Sequence, residues 1–168
     1  MTQSFAAHRP EMVAAIATSS ANLPQNPKPG RCTDGVRGPM PALITHGASD
    51  PAMPFAGGCV ANLGGVCNRG VVISAEETVR RWLEQNGLAE AKPAQSVVDI
   101  DSRDAGPANR FYYPGPAPFE WWRLDGAGHT VPSIKVRVPP SAAAGRQNND
   151  IEFAEAAWAF FGSLLPAQ

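Results

Sequence analysis

Neither sign of charge dominates this chain of 168 residues: 14 Lys and Arg stand against 15 Asp and Glu, for a formal net charge of -1 at pH 7. A nucleic-acid binder gathers a basic excess on one face, whereas the basic residues here are scattered among acidic ones, so no nucleic-acid partner is expected. No stretch approaches the roughly 18 apolar residues that a membrane span needs, and the N-terminus lacks the basic, apolar and small-residue order of a signal peptide, so no membrane partner is expected either. Histidine is scarce. His8, His46 and His129 have no metal-ligand spacing and no accompanying cluster of carboxylates or cysteines, so neither a metal nor another cofactor is expected. Cysteine is equally scarce. Cys59 and Cys67 flank a Gly-rich loop, where they either bridge in an oxidising compartment or stay as free buried thiols, with Cys32 left over. The chain contains no internal repeat and no low-complexity tract.

Helix-like and strand-like runs alternate along the chain, the pattern of an α/β domain with a mainly parallel sheet. Residues 2–8 read as the end of a helix, broken at Arg9-Pro10 because proline disfavours helical geometry in the residue before it. Met12 to Thr18, small and β-branched, suits a buried strand, and Ala42 to Thr45 a second; the Pro- and Gly-rich stretch from Asn22 to Pro39 between them is a surface excursion. Ser74-Ala75-Glu76-Glu77 is a capping box, followed by Val79, Trp82 and Leu83 on one helical face and by Gly87 as a left-handed stop. Asn109 to Tyr113 and Phe119 to Leu124 read as strands around Pro114-Gly115-Pro116. Asn149 with Glu152 offers a cap for a last helix whose stripe is Ala154, Ala157, Trp158, Phe161, Leu164 and Leu165.

Two of these strand-like runs deliver chemistry. Asp50 follows Pro41-Ala42-Leu43-Ile44-Thr45-His46-Gly47, and His129 follows Trp122-Arg123-Leu124-Asp125-Gly126-Ala127-Gly128. A carboxylate that fixes the tautomer of a histidine, which in turn serves a nucleophile, is the acid and base of a hydrolytic triad. The plainer alternatives are an Asp-Pro turn initiator at Asp50 and an exposed loop histidine at His129. His46, before a tight glycine turn, suits a structural hydrogen bond, and Asp34, Asp99, Asp101 and Asp104 sit in polar, loop-like settings.

Motifs in sequence order narrow the reading. Met1 to Ala17 resembles the helix, turn and strand that follow a Gly-x-Ser-x-Gly-Gly nucleophile elbow. His46-Gly47-x-x-Asp50-Pro51 with Phe55-x-Gly57-Gly58 resembles an acid loop. Arg69-Gly70-Val71-x-x-Ser74-x-x-Glu77-Thr78 with Trp82 and Asn86 resembles the next helix, Gly126-Ala127-Gly128-His129-Thr130 a histidine loop, and Asp150-x-x-x-Ala154-x-x-x-Trp158-x-Phe160-Phe161 the closing helix. Together they resemble the C-terminal half of the polyhydroxybutyrate depolymerase and feruloyl esterase-like group of α/β-hydrolases. The resemblance implies a partial α/β-hydrolase fold, with residues 1–168 the C-terminal portion of one domain of roughly 250 residues. It implies a carboxylic-ester hydrolase with Asp50 and His129 catalytic, an ester substrate (a polyhydroxyalkanoate or a phenolic ester), and the extracellular or periplasmic location common in the group. Val131-Pro132-Ser133 replaces the group's usual Trp-Pro-Gly after His-Thr, so Phe55, Trp121, Trp122 and Val131 are the expected substrate-binding residues, with one of the two adjacent tryptophans turned into the core.

In this fold the triad runs nucleophile, acid, histidine, yet no serine of the chain lies in a Gly-x-Ser-x-Gly turn. Cys32 precedes Asp50 and His129 but sits in a proline-rich loop, and Ser4, Ser19 and Ser20 lack the elbow glycines. The amides of the oxyanion hole belong to the same missing region. The chain alone is therefore expected to be inactive. The alternative is a non-enzymatic, truncated or split-gene fragment that associates with another chain, such as a missing N-terminal half, through an exposed strand edge at Met12 to Thr18.

Overall fold

The computed structural model describes residues 2–26, 38–61 and 66–165. Cys32 and most of the Pro- and Gly-rich excursion lie outside the described residues. Helix α1 (Thr2–His8) ends at the Arg9-Pro10 step, and a single 3-10 turn over Pro10–Met12 follows. That turn takes Met12, the first residue of the expected strand, and Val13 to Ala15 stay outside the ladder, so β1 covers only Ile16–Ser19. β2 (Ala42–Gly47) is buried at all six positions, as befits a strand covered on both faces.

The two-residue strands β3 (Gly58–Cys59) and β4 (Val71–Val72) form a small antiparallel ribbon. Helix α2 (Ala75–Gln85) begins at the Ser74 cap, whose Oγ accepts the Glu77 N–H at 3.0 Å. The reciprocal half of the expected capping box does not form, because the Glu77 carboxylate is held by Arg80 and Arg81 at 2.6 and 2.9 Å. Gly87, at φ +69°, turns the chain out of the helix in the left-handed conformation that costs glycine least.

Strands β5 (Ala94–Val98), β6 (Ala108–Tyr113) and β7 (Phe119–Leu124) complete a five-stranded sheet of order β1-β2-β7-β6-β5. β1, β2 and β7 run parallel, while β6 and β5 add on antiparallel. The architecture is α/β with a mixed sheet, not a mainly parallel one. The link between β6 and β7 explains the difference: Pro114 to Pro118 is too short to hold a crossover, so the strands form a hairpin. β5 escapes sequence reading because its side chains are mostly exposed and show no apolar alternation.

Two apolar layers enclose the sheet. On one face Ile16, Ile44, Phe119 and Trp121 pack with Ala6 of α1 and with Val79 and Trp82 of α2. Trp82 is fully buried, and its Nε1 donates to Gln3 Oε1 at 2.9 Å, fastening α2 to α1. Asn86 accepts the Met40 N–H and donates to the Met40 and Ala117 carbonyls, so the end of α2 fixes the approaches to β2 and β7. On the other face Leu43, Trp122 and Leu124 pack with Ile151 and Phe160. Phe160 belongs to α3 (Phe153–Gly162), which lacks the expected Asn149–Glu152 cap. Asn149 donates instead to the Ser133 carbonyl, and Glu152 accepts from Ser133 Oγ and from the Ile134 and Lys135 amides. Ala157 and Phe160, three residues apart, face the sheet, so two members of the expected stripe, Trp158 and Leu165, are exposed instead, Trp158 to 79%.

Cys59 and Cys67 are joined by a disulfide at a sequence separation of 8. Loop-closure entropy gives a bridge of this span a stabilisation on the order of 2 kcal/mol. Urea unfolding of the reduced chain is expected to show that loss, and a Cys59→Ser variant is expected to show it without reductant.

Candidate active site

Asp50 and His129 are brought together by parallel neighbours. β2 and β7 end side by side, with Gly47 paired to Leu124, and the loops beyond them are stitched by Ala48 N–H to Leu124 O and Ser49 N–H to Ala127 O, each 2.9 Å. Glycine makes this approach possible. A Cβ on Gly47 would lie 2.5 Å from the Gly128 carbonyl oxygen and 2.8 Å from the Ala127 carbonyl carbon, inside van der Waals contact.

The acid is held from two sides. Asp50 Oδ1 accepts the Ala52 and Met53 amides at 2.8 and 2.7 Å, and Oδ2 lies 2.9 Å from His129 Nδ1. The Asp50 side chain is 2% exposed and that of His129 is 43% exposed. A carboxylate oxygen can only accept, so this bond places the imidazole proton on Nδ1 and leaves Nε2 with its lone pair free in the neutral ring. Among the described residues Nε2 has no hydrogen-bond partner. The pair is a buried acid that orients an exposed base, able to take a proton from a group presented to Nε2.

The histidine loop rests on a brace formed by the chain from Ala144 to Asp150. Gly128 N–H donates to Arg146 O and His129 N–H to Ala144 O, at 2.7 and 2.6 Å. Arg146 reaches the Arg103 and Asp104 carbonyls. Behind it Asn148 donates to Gly106 O, and Asp150 accepts the Ile100 and Asp101 amides at 2.6 and 3.0 Å. Asn148 and Asp150 are essentially inaccessible, and the run Gln147-Asn148-Asn149-Asp150 before an apolar helix was the available signal: buried polar side chains of this kind are fully hydrogen-bonded. Asp101, expected in a solvated loop, is 8% exposed and pairs with Arg103 and Arg137.

The expected substrate-binding residues divide. Phe55 and Trp121 stack with centroids 6.5 Å apart, and Trp121 also stacks on Phe111 at 5.1 Å. Trp122 points to the opposite face, 7% exposed in the α3 layer, with its Nε1 bonded to Glu120; strand alternation separates it from Trp121 and from any shared pocket. Val131 is 56% exposed, two residues beyond His129. Among the described residues no group of three or more His, Cys, Asp or Glu could hold a metal ion, and no helix is long and apolar enough to cross a membrane.

His46 has a structural setting. It is 3% exposed, its Nε2 lies 3.1 Å from the Ala21 carbonyl, and its Nδ1 accepts from Trp121 Nε1 at 3.1 Å. Burial pushes its pKa down from 6.5 to about 4, against smaller upward pulls from the Ala21 carbonyl and the Asp50 charge. Since the folded value lies below the unfolded one, the unfolded chain takes up the proton first as the pH falls. Stability is full above about 6.5 and drops by about 3 kcal/mol as the pH approaches 4. Urea midpoints at pH 7.5 and 4.5 check this, and a His46→Gln variant is expected to lose less over the same interval.

No protein-family model and no curated protein matches the sequence.

Proposed function

We propose that this chain carries the acid and base of a carboxylic-ester hydrolase of the polyhydroxybutyrate depolymerase and feruloyl esterase-like type, with Asp50 orienting His129. One observation carries the reading: the 2.9 Å bond from a buried carboxylate to Nδ1 of an exposed histidine whose Nε2 is unengaged, both at the ends of adjacent parallel strands. In the proposed mechanism His129 Nε2 removes the proton of a serine hydroxyl as its oxygen attacks the ester carbonyl. It then returns the proton to the departing alkoxide, and repeats the exchange with water to release the acid. The serine and the oxyanion amides come from polypeptide outside these 168 residues. The substrate is an ester of a hydroxyalkanoate polymer or of a phenolic acid, met by Phe55 and Val131, with the buried Trp121 stacked behind Phe55. An extracellular or periplasmic location accompanies this reading.

Hydrolysis of a short-chain p-nitrophenyl ester tests it, comparing the chain alone, the chain joined to a segment that bears a Gly-x-Ser-x-Gly turn, and the joined form with His129→Ala. Activity confined to the joined form and lost with His129 is expected. Turnover by the chain alone that disappears with His129→Ala would show that a nucleophile is already present, and Cys32 would be the first to replace.

A second reading, a non-catalytic fragment that associates with another chain, is favoured by the position of β1 at an edge of the sheet.

A further inference from the structure

The face that β6 and β7 turn toward α3 holds a charge among apolar neighbours. Register sets Arg110 beside Trp122 and Tyr112 beside Glu120, and strand alternation turns all four to the same side of the sheet. Glu120 is 4% exposed. Its Oε1 accepts from Trp122 Nε1 and its Oε2 from Arg110 Nη2, both at 2.6 Å, so both carboxylate oxygens are engaged. The Arg110 side chain is 38% exposed, and its guanidinium carbon lies 5.3 Å from the Tyr112 ring centroid and 5.8 Å from that of Trp122. The glutamate and the two rings hold the fork, while Arg110 Nε and Nη1 have no hydrogen-bond partner among the described residues. A buried ion pair roughly breaks even against apolar residues of similar volume, so stability alone does not account for Glu120 in this layer.

What the pair does is present an oriented arginine to a cavity of about 520 Å³ between these strands and α3, a size within the range of small-molecule sites. Among the described residues that line it, Arg110 and Glu120 are the only charged ones, and neither Asp50 nor His129 takes part. Because Glu120 is covered and Arg110 is not, a molecule entering the cavity meets the donors of a cation. We propose that this cavity binds an organic monocarboxylate, its carboxylate taken by the free N–H groups of Arg110 and its apolar body set against Val98 and Ala156 over Trp122 and Phe160. A carboxylate matches the planar fork, and the apolar walls favour an organic body over a bare inorganic anion. The acids released by the proposed hydrolysis belong to this class. The inference does not rest on that reading, since its test measures binding and not turnover.

Phenylacetate titrated into the 168-residue chain tests it, with the Arg110 Nε–H and Trp122 Nε1–H signals followed by nitrogen-15 NMR. Both signals are expected to move saturably. Phenylacetamide has the shape without the charge, and acetate the charge without the body; each is expected to bind at least about tenfold more weakly. Arg110→Lys keeps a positive charge beside Glu120 but loses the planar fork, and is expected to weaken phenylacetate about tenfold. Ala159→Leu leaves the ion pair intact and fills the cavity from an exposed position of α3, with a loss of about the same size expected. The inference is overturned if neither signal moves, if phenylacetamide or acetate binds as well as phenylacetate, or if either variant, still folded, keeps the full affinity. Shifts confined to the apolar hollow of Pro41, Phe161 and Leu164 overturn the choice of site.

Discussion

Asparagine in place of Asp50 is expected to lower kcat for ester hydrolysis by about four orders of magnitude, measured on the chain joined to a nucleophile-bearing segment, while leaving the fold intact. Asn matches Asp in shape, and its Oδ1 keeps the Ala52 and Met53 amides that hold the loop. The change falls on the other atom. An amide nitrogen facing His129 Nδ1 donates where the carboxylate accepted, so the ring is driven to carry its proton on Nε2. A protonated Nε2 cannot take a proton from serine. Loss in kcat with little change in KM is the expected signature, because Asp50 acts through His129 and touches no substrate.

The second large effect is on folding. Gly128→Ala is expected to destabilise the chain by about 3 kcal/mol or more, read from urea or thermal unfolding. A Cβ at this position collides with the Ala144 carbonyl oxygen and comes within 2.7 Å of Gly145 Cα. Both obstacles are backbone, so no rotamer relieves them, and the displaced turn is the one whose Ala144 carbonyl accepts the His129 amide. A control at Gly70, where an added Cβ meets nothing within 4 Å, is strained only by its φ of +92° and is expected to cost much less.

Much of this site was legible in residue order. Asp50 and His129 each follow an apolar, strand-like run, and placing both runs in one sheet suffices to bring the loops together. The Ser74 cap and the Gly87 stop bounded α2 because local hydrogen bonding and left-handed geometry decide such ends. Non-local pairing was less legible. β5 exists because β6 offers it an edge, not because Ala94 to Val98 has a strand pattern of its own. The polar run before the last helix marks Asn148 and Asp150, but their burial and that of Asp101 depend on pairing between loops distant in sequence, and spacing does not name those partners. Strand alternation required one of Trp121 and Trp122 to turn into the core, but which of them faces α3 is decided by the register of β7 in the sheet, and it is Trp122.

The central claim is that Asp50 holds His129 with its proton on Nδ1 and Nε2 open. Nitrogen-15 and proton NMR of the imidazole in the 168-residue chain measures this directly. The account predicts a low-field Nδ1 proton and an unprotonated Nε2 in the neutral ring, with the low-field signal abolished by Asp50→Asn. A neutral ring that carries its proton on Nε2, or a low-field signal that survives Asp50→Asn, would contradict it.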